Sequence, residues 1–141
     1  MSEVRDPRSV IEAFNTAWQA SDLDRALTLA SDNVVFCVHV SEDVVEHAGR
    51  WVGLSEVRKA MIIARSNFEY LVYRPEIMSV TDDTVRQMVD YVGVHMNSGS
   101  QISMKFRQVF RVQNGLIVLC DEFHDAKMLE AYLKLLDAET R

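Results

Sequence analysis

Residues able to carry acid–base chemistry are concentrated near position 120. Cys120, Glu122 and His124 alternate along a segment that begins with the apolar run Leu-Ile-Val-Leu. Alternate residues of a strand share a face, so these three side chains should lie together. Against apolar walls, burial would raise the pKa of Glu122 toward the range of a general acid or base. We therefore predict catalytic roles for Glu122 and His124; the alternative is an ion pair between Glu122 and Arg107 or Arg111.

Asp90 is the third predicted catalytic residue. It lies in the middle of a predicted strand, where aspartate is disfavoured, so a specific partner should hold it there. A cross-strand ion pair with Arg86 or Arg107 is the structural alternative. In the functional interpretation Glu122 is the base, while Asp90, His124 and Gln108 orient the substrate or donate to it.

Cys37 and His39 share one face of the first predicted strand. A thiol beside an imidazole can form a nucleophilic pair, but residues two apart on a strand stand about 7 Å from each other. A free cysteine is also commonly an inert core residue, so we expect these two side chains only to line the cavity. No metal site is expected, because His39, Glu46, His47 and His124 match neither HExxH nor HxH spacing.

Aromatic and sulfur-containing residues recur on the predicted core faces. Where a curved sheet wraps over helices, such residues line the cavity between them as well as the core. Methionine-rich walls suit an apolar or aromatic ligand. The predicted pocket residues are Phe14, Trp18, Cys37, His39, Trp51, Met61, Phe106, Gln108, Phe110 and Cys120.

The elements that must position these residues are helices first and long strands afterwards. Apolar residues at helical spacing predict three helices, with caps at Asp6, Ser21 and Ser55, and Asp125 should cap a final helix. A polar loop is expected at 41–46. Strands are predicted at 34–40, 71–80, 84–96, 101–112 and 116–124, with a short strand or turn at 47–53.

Turn residues define the hairpins. Asn114-Gly115 between apolar runs predicts a type I′ turn, because both residues accept a positive φ. Pro75 indicates a sheet edge or a bulge. A one-residue bulge near Gly93 would exchange which of Asp90 and Tyr91 faces inward.

The composition is that of a single globular domain spanning 1–141, with its core at about 8–137. Hydrophobic residues make up 48% and charged residues 26%, and the net charge is −6. This charge argues against nucleic acid or an anionic membrane as a partner. The polar first ten residues, the lack of a long apolar run and the two cysteines lead us to expect a cytoplasmic protein with reduced thiols.

The element order predicts an α+β fold in which helices pack into a strongly curved antiparallel sheet. Apolar residues occur on both faces of the long strands, which a sheet facing solvent would not need. We therefore also expect a homodimer formed through the outer face of the sheet.

Four motifs resemble a known family: Ala-Ser-Asp-Leu-Asp (20–24), Leu-Ala-Ser-Asp-Asn-Val-Val (29–35), Gly-Arg-Trp-Val-Gly (49–53), and Asn-Gly-Leu-Ile followed by Glu-Phe-His-Asp (122–125). Through them the chain resembles the SnoaL-like branch of the nuclear transport factor 2-like (NTF2-like) superfamily, which includes ketosteroid isomerase. The resemblance extends from Val10 to Leu136. It implies an NTF2-like cone that encloses a small-molecule cavity and works without a cofactor.

The site residues of known superfamily enzymes can be compared with the residues at the matching positions of this chain. At the positions of the ketosteroid isomerase tyrosine, base and oxyanion aspartate, this chain has Phe14, Cys37 and Gln108, which cannot perform those roles. Compared with limonene epoxide hydrolase-like members, Glu122 matches the water-activating aspartate and Asp90 the acid, while the tyrosine, asparagine and arginine are replaced. Polyketide cyclases and scytalone dehydratase of this superfamily use aspartate and histidine as acid–base groups.

Two functions remain from these observations. The first is a cofactor-independent acid–base enzyme, an isomerase, cyclase, dehydratase or hydratase, acting on an apolar small molecule. The second is a ligand-binding or sensing dimer whose cavity performs no reaction. A Glu122 that lines an enclosed cavity would favour the first function, and a Glu122 bound to an arginine at the surface would favour the second.

Overall fold

The computed structural model describes residues 6–40, 47–96 and 98–124, together with Ala131 and Lys134, which are helical and exposed. The expected polar loop at 41–46 and the start of the final helix at Asp125 lie outside these residues. The helices are α1 (Pro7–Gln19), α2 (Leu23–Thr28) and α3 (Leu54–Asn67). The strands are β1 (Ala30–His39), β2 (Gly49–Val52), β3 (Phe68–Thr81), β4 (Thr84–His95), β5 (Gln101–Gln113) and β6 (Leu116–His124).

The residue just before each helix is its N-terminal cap residue. The side chain of Asp6 accepts from the backbone N–H of Ser9 at 2.9 Å, which confirms the predicted cap of α1. Helix α2 is capped by Asp22 rather than by the predicted Ser21, which instead adopts a φ of 58°. Helix α3 begins after Gly53, which occupies the N-cap position with a φ of 89° and has no side chain to form a cap. The side-chain cap predicted at Ser55 is therefore wrong.

The strands form one curled, unclosed sheet in the order β2-β1-β6-β5-β4-β3. Neighbours are antiparallel except for β1 and β6, which pair in parallel. This parallel pair departs from the antiparallel sheet expected from sequence, because β1 reaches β6 through the rest of the chain rather than through a hairpin. The hairpin turn at Asn114 and Gly115 has φ angles of 54° and 76°, as the type I′ prediction requires. Pro75 lies in the edge strand β3, as predicted.

Burial alternates along β4 and β5 because one sheet face packs against the helices. Helix α1 lies against β3, β4 and β5, and its side chains Phe14 and Trp18 join the main core cluster. The expected α+β architecture, with helices packed into a curved sheet, is therefore confirmed. None of the helices within the described ranges is long and apolar enough to cross a membrane.

Candidate functional site

A buried carboxylate and imidazole form the centre of the site. On β6, His124 Nε2 lies 2.7 Å from Glu122 Oε2, and the two side chains are only 8% and 9% exposed. The His124 ring also stacks on Phe106, with ring centroids 4.8 Å apart. The two residues meet because they alternate along β6 on the concave face, as predicted. The hydrogen bond between them assigns the Nε2 proton to His124 and leaves Nδ1 without a hydrogen-bond partner among the described residues.

A chain of buried amides holds the other carboxylate oxygen. Gln108 Nε2 donates to Glu122 Oε1 at 2.9 Å, and Gln87 Nε2 donates to Gln108 Oε1 at 2.6 Å. Gln87 in turn exchanges two hydrogen bonds with Asn15 of α1, at 2.9 and 3.1 Å. The chain spans three elements, α1, β4 and β5, before it reaches β6. It therefore limits the carboxylate of Glu122 to one orientation.

The environment of Glu122 favours its ionised form. Burial alone would raise the pKa of this carboxyl group, but the hydrogen bond and charge of His124, the charge of His47 and the amide of Gln108 outweigh burial. The net result is a pKa below the ordinary value. The predicted upward shift was therefore wrong, because the prediction counted burial and left out the hydrogen bonds and charges that His124, His47 and Gln108 supply. Glu122 is an anion that orients His124, and both its oxygens already accept hydrogen bonds.

An apolar cavity adjoins this pair. The space within it that the centre of a water molecule can occupy is about 70 Å³. Since one water needs roughly 10–15 Å³ on this measure, the space suits a compact ring system or several waters. Seven of the ten predicted pocket residues line it, in addition to Glu122 and His124: Phe14, Trp18, Met61, Phe106, Gln108, Phe110 and Cys120.

Three predicted pocket residues are not part of this lining. Cys37 pairs in register with Asp121 on the outer face, and His39 hydrogen-bonds to Asp121 there. The prediction failed because the more apolar face of β1, formed by Val34, Phe36 and Val38, packs inward and leaves Cys37 and His39 on the other face. Trp51 packs against the core from β2, and its Nε1 donates to the carbonyl of His47 at 3.0 Å.

The structure also does not bring Asp90 to the site. Its side chain is 55% exposed and lies 3.6 Å from the amine of Lys105 across the β4–β5 pair. Tyr91 is the inward residue instead, because β4 keeps its alternation through Gly93. Asp90 therefore corresponds to the cross-strand ion pair that was its structural alternative, although with a lysine in place of an arginine.

Two tyrosines of the cavity were not identified from sequence. Tyr70 and Tyr73 are three residues apart, so strict alternation would place them on opposite faces. The pairing of β3 with β4 shifts between Tyr70 and Val72, and this bulge turns both rings inward. Burial and then the charge of Glu122 raise the pKa of both phenols well above the ordinary value. Both therefore stay protonated and can donate hydrogen bonds.

Three further residues, His47, Asn15 and Gln87, were not predicted from the sequence as part of the site. His47 lines the cavity and lies close enough to lower the pKa of Glu122, although its sequence neighbours show no ligand or catalytic motif. Asn15 and Gln87 are 7% and 2% exposed. A polar residue at an otherwise apolar inward position was the available signal, since buried amides must be hydrogen-bonded.

Solved structures share this fold at low sequence identity. A proposed isomerase from Rhodopseudomonas palustris is 19% identical, with a TM-score of 0.78 over 95% of this chain and 99% of that one. An NTF2-like protein from Burkholderia pseudomallei is 17% identical, with a TM-score of 0.80 over 89% and 95%. The protein TerC, co-crystallised with polyporic acid, is 12% identical, with a TM-score of 0.80 over 93% and 98%. At these identities the likeness shows the fold alone, an NTF2-like cone.

The family to which the chain belongs is identified by a match over most of its sequence. No curated protein matches the chain at a significant level. The SnoaL-like domain family matches residues 11–120, which include most of α1, all of α2 and α3 and most of the sheet. With the curved sheet and the solved structures, this match confirms the resemblance seen in the motifs. The chain belongs to the SnoaL-like domain family.

Proposed function

We propose that the protein is a cofactor-independent enzyme that moves a proton on a compact, largely apolar cyclic substrate. One observation carries this proposal: His124 lies buried at the cavity wall, held through Nε2 by an ionised Glu122. The unused Nδ1 is the atom that would exchange the proton with substrate. An imidazole oriented by a carboxylate is a general acid–base group suited to neutral pH.

The roles differ from those expected from sequence. Glu122 acts as the positioning residue, because both of its oxygens already accept hydrogen bonds. His124 acts as the catalytic residue and takes a proton from the carbon next to a substrate carbonyl. The electron pair of the broken C–H bond moves to the carbonyl oxygen, and the phenol O–H of Tyr70 or Tyr73 donates to it. His124 then returns the proton to a second atom, which completes an isomerisation or initiates a cyclisation or dehydration.

The lining indicates the class of ligand. Aromatic rings surround the site on several sides, and the polar groups occupy one part of the wall. Trp18 Nε1 is buried without a hydrogen-bond partner within the described part of the chain, as is His124 Nδ1. Buried polar atoms left without partners are places where a ligand can bind. A cyclic ketone, lactone or phenol offers an oxygen for these groups and an apolar ring for the walls.

Exchange of a carbon-bound proton tests the chemistry directly. Cyclic ketones that raise the melting temperature of the protein are incubated with it in D₂O, and loss of the proton signal beside the carbonyl is followed by NMR. Wild type should catalyse exchange, and His124→Gln should bind the same ketone without catalysing it. His95→Gln is the matched control, because His95 hydrogen-bonds to Ser98 and does not line the cavity. Full exchange by His124→Gln would refute the assignment.

One observation favours the non-catalytic alternative. The polar groups Asn15, Gln87, Gln108, Glu122 and His124 are linked into a single hydrogen-bonded chain, which is also what a rigid ligand-binding module would need. In that case ketones or phenols would stabilise wild type, but no exchange would occur in any variant. The NMR experiment therefore separates the two functions.

We further propose that two copies associate through the outer face of the sheet. That face carries Met78 and Phe123, which are 60% and 41% exposed, in one groove with Met88 and Val109. A solvent-facing sheet does not need such residues. Sedimentation of wild type should give a dimer, and Phe123→Glu should give a monomer with an intact fold. A monomeric wild type at micromolar concentration would contradict the proposal.

A further inference from the structure

Three potential metal ligands converge on the outer face, opposite the cavity. Cys37 on β1 pairs in register with Asp121 on β6, and His39 follows two residues later. The Cys37 Sγ, a ring nitrogen of His39 and a carboxylate oxygen of Asp121 all lie within 4.8 Å of one another. The acid–base function proposed for the cavity uses none of these residues, so this cluster needs its own explanation.

The cluster is ordered and partly exposed in a single chain, on the sheet face through which two copies are proposed to associate. His39 Nε2 is 2.8 Å from Asp121 Oδ1, with side chains 41% and 27% exposed. The His39 ring stacks on Phe123, with centroids 4.5 Å apart and planes 5° apart, which limits its rotation. Adjacent strands hold ligands more rigidly than loops do. Burial and the charge of Asp121 raise the pKa of the Cys37 thiol, and Arg50, opposite it on β2, offsets them only in part, so the metal itself would have to displace the thiol proton.

We propose that Cys37, His39 and Asp121 form a binding site for one borderline transition-metal ion of the Zn²⁺ or Co²⁺ type. Ligand distances of about 2.0–2.3 Å to such an ion place ligand atoms roughly 3.3–3.8 Å apart. Small side-chain rotations from the observed separations would reach that geometry. A thiolate, an imidazole and a carboxylate together favour such an ion over Mg²⁺ or Ca²⁺, which prefer oxygen alone. Water would complete the coordination.

The spacing alone did not suggest this site. Cys-x-His supplies two ligands from one strand, and the third comes from a residue 82 positions further along the chain. Only the parallel pairing of β1 with β6 brings the three together. The site does not depend on the cavity chemistry, so metal binding and proton exchange can succeed or fail independently.

Cobalt titration of the full chain tests the proposal. Protein prepared without a polyhistidine tag, and freed of metal by chelation, is titrated with Co²⁺ while its absorption spectrum is recorded, and Zn²⁺ binding is measured by calorimetry. Saturation at one equivalent with a thiolate-to-cobalt charge-transfer band is expected. Cys37→Ser should abolish that band, whereas His39→Gln and Asp121→Asn should each weaken binding at least about tenfold.

Controls make every outcome informative. His95→Gln should bind like wild type, and circular dichroism should show that each variant is folded. Three results would overturn the proposal: no saturable binding of either ion, binding without the charge-transfer band, or a band that persists in Cys37→Ser and so arises from Cys120. Binding that all three ligand variants retain would indicate only non-specific attraction to acidic groups.

Discussion

Replacement of Gln108 by leucine should destabilise the protein far more than its similar volume suggests. The amide of Gln108 donates to the Glu122 carboxylate and accepts from Gln87. Loss of a hydrogen bond to a buried charge costs about 1.5–3 kcal/mol, and an unsatisfied neutral donor costs about 1–3 kcal/mol. The free energy of unfolding should therefore fall by about 2.5–6 kcal/mol. The pKa of Glu122 should also rise, because one of the groups that lower it is removed.

Urea unfolding at neutral pH measures this loss. Gln101→Leu is the matched control, since it makes the same exchange at an exposed position of the same strand. Its free energy of unfolding should stay within about 0.5 kcal/mol of wild type. Both variants should keep the wild-type dependence on urea concentration, so that midpoints can be compared. If Gln108→Leu lost less than about 1 kcal/mol, the buried amides would not be holding Glu122 as described.

Three other predictions concern acid, thiols and the outer face. The folded-state pKa of Glu122 lies below 4.5, so its ionised form stabilises the protein above that pH, and the contribution is lost as pH falls through the folded-state pKa. The melting temperature of Glu122→Gln should consequently fall less steeply than that of wild type as the pH drops below 4.5. Equal slopes of melting temperature against pH in the two proteins would contradict this. One thiol, the partly exposed Cys37, should react with a disulfide reagent in native protein, and buried Cys120 only after unfolding. Asp90→Asn should change the unfolding free energy by at most about 0.5 kcal/mol and leave proton exchange intact, because Asp90 pairs with Lys105 at the surface.

Local signals in the sequence were sufficient for most of the fold. The Asn114-Gly115 turn located the β5–β6 hairpin, but the pairing shifts by one residue between Arg111 and Val112, so Glu122 lies opposite Gln108 rather than Arg107. Alternation from Cys120 onward placed Glu122 and His124 on one face. The hairpin and this shared face were therefore predictable, whereas the cross-strand partner of Glu122 was not.

Features that depend on distant pairing were not predictable. The bulge that turns Tyr70 and Tyr73 inward lies on β3 opposite Gly93, so the glycine indicated a bulge nearby but not the strand that carries it. The facing of Cys37 and His39 depends on which side of β1 meets the helices, and the side formed by Val34, Phe36 and Val38 does so. The pKa of Glu122 depends on the balance between burial, the contact with His124 and the charge of His47, and only the folded chain brings His47 near it. Sequence periodicity describes one strand at a time, whereas these properties belong to contacts between elements.

The position of β6 has a consequence for how the chain folds. β6 lies between β1 and β5, and in the described sheet it joins the β2-β1 pair to the β5-β4-β3 meander. During synthesis, the earlier strands are complete while β1 and β5 still have unpaired edges, which are sites for aggregation. Contacts between residues about 80 positions apart also form slowly. Truncation before residue 116 would therefore leave two partial sheets with nothing between them.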